Sequence, residues 1–135
     1  MGHFIMFERA VAAAEKAAAM DSCNREVSSL LCRARAVANA RSVGNELFKV
    51  EKYLEACTAY GEGLEHDPTN AVLLCNRAAC RSKLDQWDKS VEDCNLALSI
   101  QPNYTKALLR RATSNTKVHE HSRNFPFVSR LLYSV

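Results

Sequence analysis

Arg41 and Asn45 stand four residues apart, as do Lys106 and Arg110, and that spacing puts the members of each pair on one face of a helix. Guanidinium and ammonium groups make charge-assisted hydrogen bonds to carboxylates, roughly twice as strong as neutral ones, and amides can complete the remaining oxygen lone pairs. Such groups hold an anion and transform nothing. No nucleophile–base triad, pair of catalytic carboxylates, phosphate-binding glycine loop or metal-ligand set accompanies them. The expectation is a binding protein, not an enzyme, with no metal and no cofactor.

The remaining reactive side chains point the same way. Cys23, Cys32, Cys57, Cys75, Cys80 and Cys94 include no CxxC pair, since Cys75 and Cys80 are five apart. Neither a dithiol redox centre nor a zinc knuckle is therefore expected, and most of the thiols are read as small buried apolar groups. His119 and His121 have no further ligands nearby and are expected to be solvated. Asn103-Tyr104-Thr105 matches a glycosylation sequon, and Met1-Gly2 begins like a myristoylation signal but has Met6 where Ser or Thr is required. Both are read as incidental.

The elements that position these residues show themselves as self-similarity at an offset of 34: Gly44 and Ala78, Lys49 and Lys83, Tyr53 and Trp87, Leu64 and Leu98, Pro68 and Pro102 all fall in register. Each period reads as a helix hairpin. In the first, a helix runs through Val50, Glu51-Lys52 turns, and Tyr53 to His66 carries Leu54, Cys57, Tyr60 and Leu64 at helical spacing. Asp67-Pro68 stops it, because proline lacks the amide donor and restricts its predecessor. The second period repeats the design, with a helix to Leu84, a turn at Asp85-Gln86, a helix from Trp87 to Ile100 and a stop at Gln101-Pro102. Only three prolines and four glycines in 135 residues leave long stretches free to be helical. The fold class is all-α.

A net charge of +3 is too mild to imply nucleic acid, though clustered cations would suit an acidic partner. No run approaches the roughly 18 apolar residues of a membrane span, and Met1 to Ala10 lacks the pattern of a secretion signal, so a cytoplasmic location is expected.

The periodic set, with small residues at Gly44, Ala56, Gly63, Ala78, Ser90 and Ala97, aromatics at Tyr53, Tyr60 and Trp87, and Pro68 and Pro102, resembles the tetratricopeptide repeat family. That resemblance implies a right-handed superhelical solenoid of hairpins. It divides the chain into the second helix of a preceding partial repeat (1–24), an extension of a long helix (25–36), repeats at 37–70 and 71–104, the first helix of a third repeat (105–118) and a divergent tail (119–135). Arg110 to Val118 follows Asn76 to Leu84 in register, but His121, Asn124 and Pro126 do not continue the family's pattern. Within the tail, Phe127, Val128, Leu131, Leu132 and Val135 share one face of a short helix, with Asn124 as its cap, expected to cover apolar surface at Leu108 and Leu109. At the other end, Phe7, Ala10, Ala14 and Ala17 look like a second helix closing at Met20-Asp21-Ser22.

In this family the first helices of the hairpins line a concave groove, and Arg41, Asn45, Asn76, Lys106 and Arg110 occupy groove-facing positions. The set resembles the carboxylate clamp of co-chaperones that hold the C-terminal Glu-Glu-Val-Asp of cytosolic Hsp90 and Hsp70. By position, Asn45, Asn76, Lys106 and Arg110 match it; Arg41 stands where Lys is usual, exchanging a compact ammonium for a planar fork. Lys83 is placed to meet an upstream acidic residue. Longer stretches, among them Gly44 to Phe48, Ala59 to Leu64 and Leu74 to Leu84, look like the plant tetratricopeptide-repeat thioredoxin-like proteins. No thioredoxin-like domain is present, so no redox activity is expected. The alternative is a structural fragment whose groove is incomplete for want of a full third hairpin.

Overall fold

A computed structural model describes residues 2–124, apart from the side chains of residues 2–5 and 7; the amphipathic stretch expected from Phe127 to Val135 lies outside the described residues, as does the side chain of Phe7. Five helices follow one another, with no strand among the described residues: α1 (Gly2–Lys49), α2 (Tyr53–His66), α3 (Ala71–Lys83), α4 (Trp87–Ile100) and α5 (Thr105–Asn124). The chain divides into two compact units, Met1–Arg35 and Ala36–Val135.

In the first unit every described side chain is exposed, including Met20, Val27, Leu30 and Leu31. The closure expected at Met20-Asp21-Ser22 does not occur, and the helix continues through it. Without Pro or Gly there, each further residue adds a backbone hydrogen bond, and Arg25 pairs with Asp21 at 3.2 Å across one turn. Cys23 and Cys32 lie on this exposed helix, so the expectation that most thiols are buried holds for Cys75, Cys80 and Cys94 only, with Cys57 half-buried.

The second unit holds the core, built around Tyr60, Leu64, Leu73, Leu74, Cys75, Cys80, Ala97 and Leu98. Consecutive helices α2 to α5 pack on their neighbours, and α3 also touches α5. Close approach is set by small residues. A Cβ on Gly44 would overlap the Tyr60 ring, with Cδ1 only 2.7 Å away, and one on Gly63 would lie 2.8 Å from Leu73 Cδ1.

Both hairpin turns are built alike, 34 residues apart. Glu51 and Asp85 take left-handed φ values of 63° and 58°, Lys52 N–H reaches back to Leu47 O at 2.9 Å, and Gln86 N–H to Arg81 O at 2.8 Å. This is the helix-ending motif in which the left-handed residue is usually glycine. After the Pro68 stop, the Asn70 side chain accepts from Leu73 N–H at 3.0 Å and caps α3.

One boundary differs from the sequence reading. α5 runs to Asn124, six residues past Val118, and the helix that Asn124 was expected to cap lies outside the described residues. Nothing between His119 and Asn124 breaks a helix, and Lys117 pairs with Glu120 at 3.2 Å within it. Leu108 and Leu109 are exposed.

Candidate functional site

The groove is assembled from the last turns of α1, the face of α3 that carries Asn76 and Ala79, and the first half of α5. One cleft of about 340 Å³ is lined by Asn45, Glu46 and Lys49 of α1, Tyr60 of α2, Asn76 of α3 and Arg110 of α5. A second, of about 560 Å³, is lined by Asn76, Lys83, Trp87, Lys106, Leu109 and Arg110. The two share Phe48, Asn76, Ala79 and Arg110, so they lie side by side along one channel-like groove. Of the residues singled out in the sequence, Asn45, Asn76 and Arg110 meet in the first cleft, and Asn76, Lys83, Lys106 and Arg110 in the second. Arg41 lines neither cleft; it is exposed on α1, one turn before Asn45, and its charge acts on the hydroxyls of Tyr60 and Tyr104.

The electrostatics of this channel are one-sided. Among the described residues, Arg41, Lys83, Lys106 and Arg110 have no carboxylate partner. Glu46 is the acidic residue lining the first cleft, and Lys49 neutralises it at 3.0 Å. The second cleft is lined by no acidic residue.

Three hydrogen bonds that sequence reasoning did not anticipate fix the wall. The Tyr60 hydroxyl donates to Asn45 Oδ1 at 2.6 Å. Arg110 Nη1 donates to the Cys75 carbonyl at 2.7 Å and to Cys75 Sγ at 2.9 Å, tying α5 to α3 while leaving other guanidinium donors for a ligand. Tyr60 was recognisable as a packing aromatic, but nothing in its spacing marks the bond to Asn45. Burial pushes its hydroxyl up to about 12, with the charges of Arg41 and Arg110 opposing, so it stays a neutral donor.

Behind the wall lies a different polar network. Asp93, only 1% exposed, takes a two-pronged contact from Arg77 (Nε to Oδ2 2.9 Å, Nη2 to Oδ1 2.7 Å) and a third bond from Arg81 at 2.9 Å. Ser82, Ser90 and Ser114 join α3, α4 and α5 through hydroxyl contacts of 2.8 and 3.0 Å, anchored on the Ala78 carbonyl. Neither network was expected; of the three serines only Ser90 occupies one of the small-residue positions read from the sequence, and that was the available signal.

The arrangement can accept a group with several anionic oxygens in an open channel. Among the described residues no cluster of His, Cys, Asp or Glu could hold a metal, and no helix is long and apolar enough to cross a membrane.

Known proteins share this architecture. A family profile, "Tetratricopeptide repeat", matches residues 59–92. The inactive TPR repeat-containing thioredoxin TTL3 of Arabidopsis thaliana is 58% identical over 104 residues, which is 77% of this chain and 15% of that protein. The chain thus spans about a seventh of the length of the first curated relatives it matches. Among solved structures, the second TPR domain of human RPAP3, in complex with the HSP70 peptide SGPTIEEVD, is similar with a TM-score of 0.62 at 30% identity, covering 76% of this chain and 87% of that one. The first TPR of Spaghetti (RPAP3), bound to the HSP90 peptide SRMEEVD, gives a TM-score of 0.62 at 35% identity, covering 64% and 68%. With its stacked hairpins, its paired left-handed turns and these relatives, the chain belongs to the tetratricopeptide repeat family.

Proposed function

We propose that this chain is a non-enzymatic cytoplasmic adaptor domain that holds the acidic C-terminal tail of Hsp90 or Hsp70 in the channel between α1, α3 and α5. The observation that carries the reading is the channel lined by Asn45, Asn76, Lys83, Lys106 and Arg110, whose three cations have no carboxylate partner among the described residues. A C-terminal aspartate supplies two carboxylates. In this reading Asn45, Asn76 and Arg110 receive one, Lys106 the other, Lys83 meets an upstream acidic residue, and Arg41 adds charge from the rim. The peptides in the RPAP3 complexes end in Glu-Glu-Val-Asp, which is the chemistry proposed here. The repeats at 37–70 and 71–104, with 105–118 opening a third, are the units we assign to it.

Charge-assisted contacts of this kind give a short peptide an affinity near micromolar, about −8 kcal/mol, weakened by salt. Calorimetric titration with a peptide ending in Met-Glu-Glu-Val-Asp, against the same peptide amidated at its C-terminus, tests the reading. Binding of the free acid alone is expected; equal binding of both, or of neither, refutes the proposal.

A further inference from the structure

Asn45 has two chemically opposite ends. Its Nδ2 can donate to a carboxylate, whereas its Oδ1 would repel one, so a 180° turn of the same side chain converts an attractive wall into a repulsive one. What chooses between them is the partner behind the residue. Tyr60 reaches from α2 and donates its hydroxyl proton to Oδ1 at 2.6 Å. The ring that carries this hydroxyl is 2% exposed and lies against Gly44, where even a methyl group would overlap it. Gly44 directly precedes Asn45 on α1, so the feature that pins the ring also aligns the hydroxyl with the amide.

We infer that Tyr60 is a positioning residue for the carboxylate site: its hydroxyl holds the Asn45 oxygen away from the ligand, commits Nδ2 to it, and so gives the channel its preference for a free C-terminal acid over a neutral terminus. This rests on the adaptor reading above. The phenol is suited to the task because it does not ionise in the range where the protein works, burial having moved it up to about 12. An ionised phenolate would reverse the amide by accepting from Nδ2. Arg110 is held in a comparable way, since the Cys75 carbonyl fixes Nη1, but that acceptor is main chain and no substitution removes it.

Tyr60→Phe isolates the effect, because it keeps the ring against Gly44 and removes only the donor. Calorimetry with the Met-Glu-Glu-Val-Asp peptide should show free-acid binding weakened about 2- to 10-fold, the range of one net hydrogen bond, with the acid-over-amide preference reduced. In the Asn45→Ala background the same change should have no further effect on affinity; a purely structural Tyr60 would weaken binding equally in both backgrounds. An equal loss in both, or unchanged affinity and preference in Tyr60→Phe, overturns the inference. A readout independent of binding is the side-chain amide signal of Asn45 in nitrogen-15 NMR of the unliganded protein. Displacement of that signal by Tyr60→Phe is expected, and an unmoved signal overturns the inference. Failure of the wild type to bind the free acid, with the Asn45 signal still displaced, would remove the adaptor reading and the ligand part of this inference, while leaving the amide orientation supported.

Discussion

Arginines do opposite things on the two sides of α3. On the side facing α4, Arg77 and Arg81 share Asp93, a carboxylate from the chain itself, and Asp93 is almost wholly buried. On the groove side, Arg110 with Lys83 and Lys106 faces a channel whose second cleft is lined by no acidic residue. The same side-chain chemistry is closed in one place and open in the other. Satisfied cations cement helices together, whereas cations left without an anion on a half-exposed wall are available to bind one.

The sharpest way to break this contrast is to open the closed side. Asp93→Ala would strand two guanidiniums and should lower unfolding free energy by about 3 kcal/mol, the low end for a broken buried pair because both arginines keep some contact with water. Chemical denaturation reads this directly. The complementary change, Lys106→Ala, should leave stability within about 0.5 kcal/mol of wild type while weakening free-acid peptide binding by about 10-fold or more. A loss of helicity with the loss of binding would place Lys106 with Asp93 as a structural group. Asn45→Ala should behave like Lys106→Ala.

Gly44→Ala sits between the two regions. Its methyl would press on the Tyr60 ring, costing about 1–3 kcal/mol of stability and disturbing the hydroxyl that meets Asn45, so both thermal stability and peptide affinity should fall. A pH titration reads the buried titratable groups of both sides together, since burial also raises the groove residue Tyr60 to about 12. Burial raises Cys80 to about 12 and Cys94 to about 11 from an ordinary 9.0. From pH 9 upward the unfolded chain releases thiol protons that the folded chain retains, so stability should decline toward pH 11–12. Below pH 9 these two thiols should contribute no slope. The smallest effect is expected from Asp85→Gly, which relieves a left-handed backbone at the α3–α4 turn and should shift stability upward by at most about 1 kcal/mol, leaving peptide affinity unchanged.

The hairpins could be read from the chain because their determinants are local and repeated. Pro68 and Pro102 stop helices, small residues recur where helices meet, and Glu51 and Asp85 fall in register as turns. Lys106 and Arg110 were legible as an i,i+4 pair and line one cleft together, whereas Arg41, spaced in the same way from Asn45, lines neither cleft. The bonds that orient the groove residues were not legible, since Tyr60 meets Asn45 across 15 residues and Arg110 meets Cys75 across 35, and neither separation leaves a periodic trace. Asp93 likewise meets Arg77 and Arg81 across 16 and 12 residues, through contacts that only the packing of α3 on α4 creates. Helix ends were misjudged at Met20-Asp21-Ser22 and at Val118, where the repeat pattern lapses but no residue forbids another turn. The family's spacing marks where hairpins belong; the backbone ends only where donors are lost or turns are built.

The uneven depth of the groove cations has a kinetic consequence. Lys83 and Lys106 are exposed at the channel's rim, whereas Arg110 is half-buried and held by Cys75. Rim charges chiefly set how fast an oppositely charged partner arrives, and partly desolvated ones how long it stays. An acidic tail should therefore be captured at a salt-sensitive rate governed by the lysines and released at a rate governed by Arg110, so that ionic strength would tune the frequency of encounters far more than their duration.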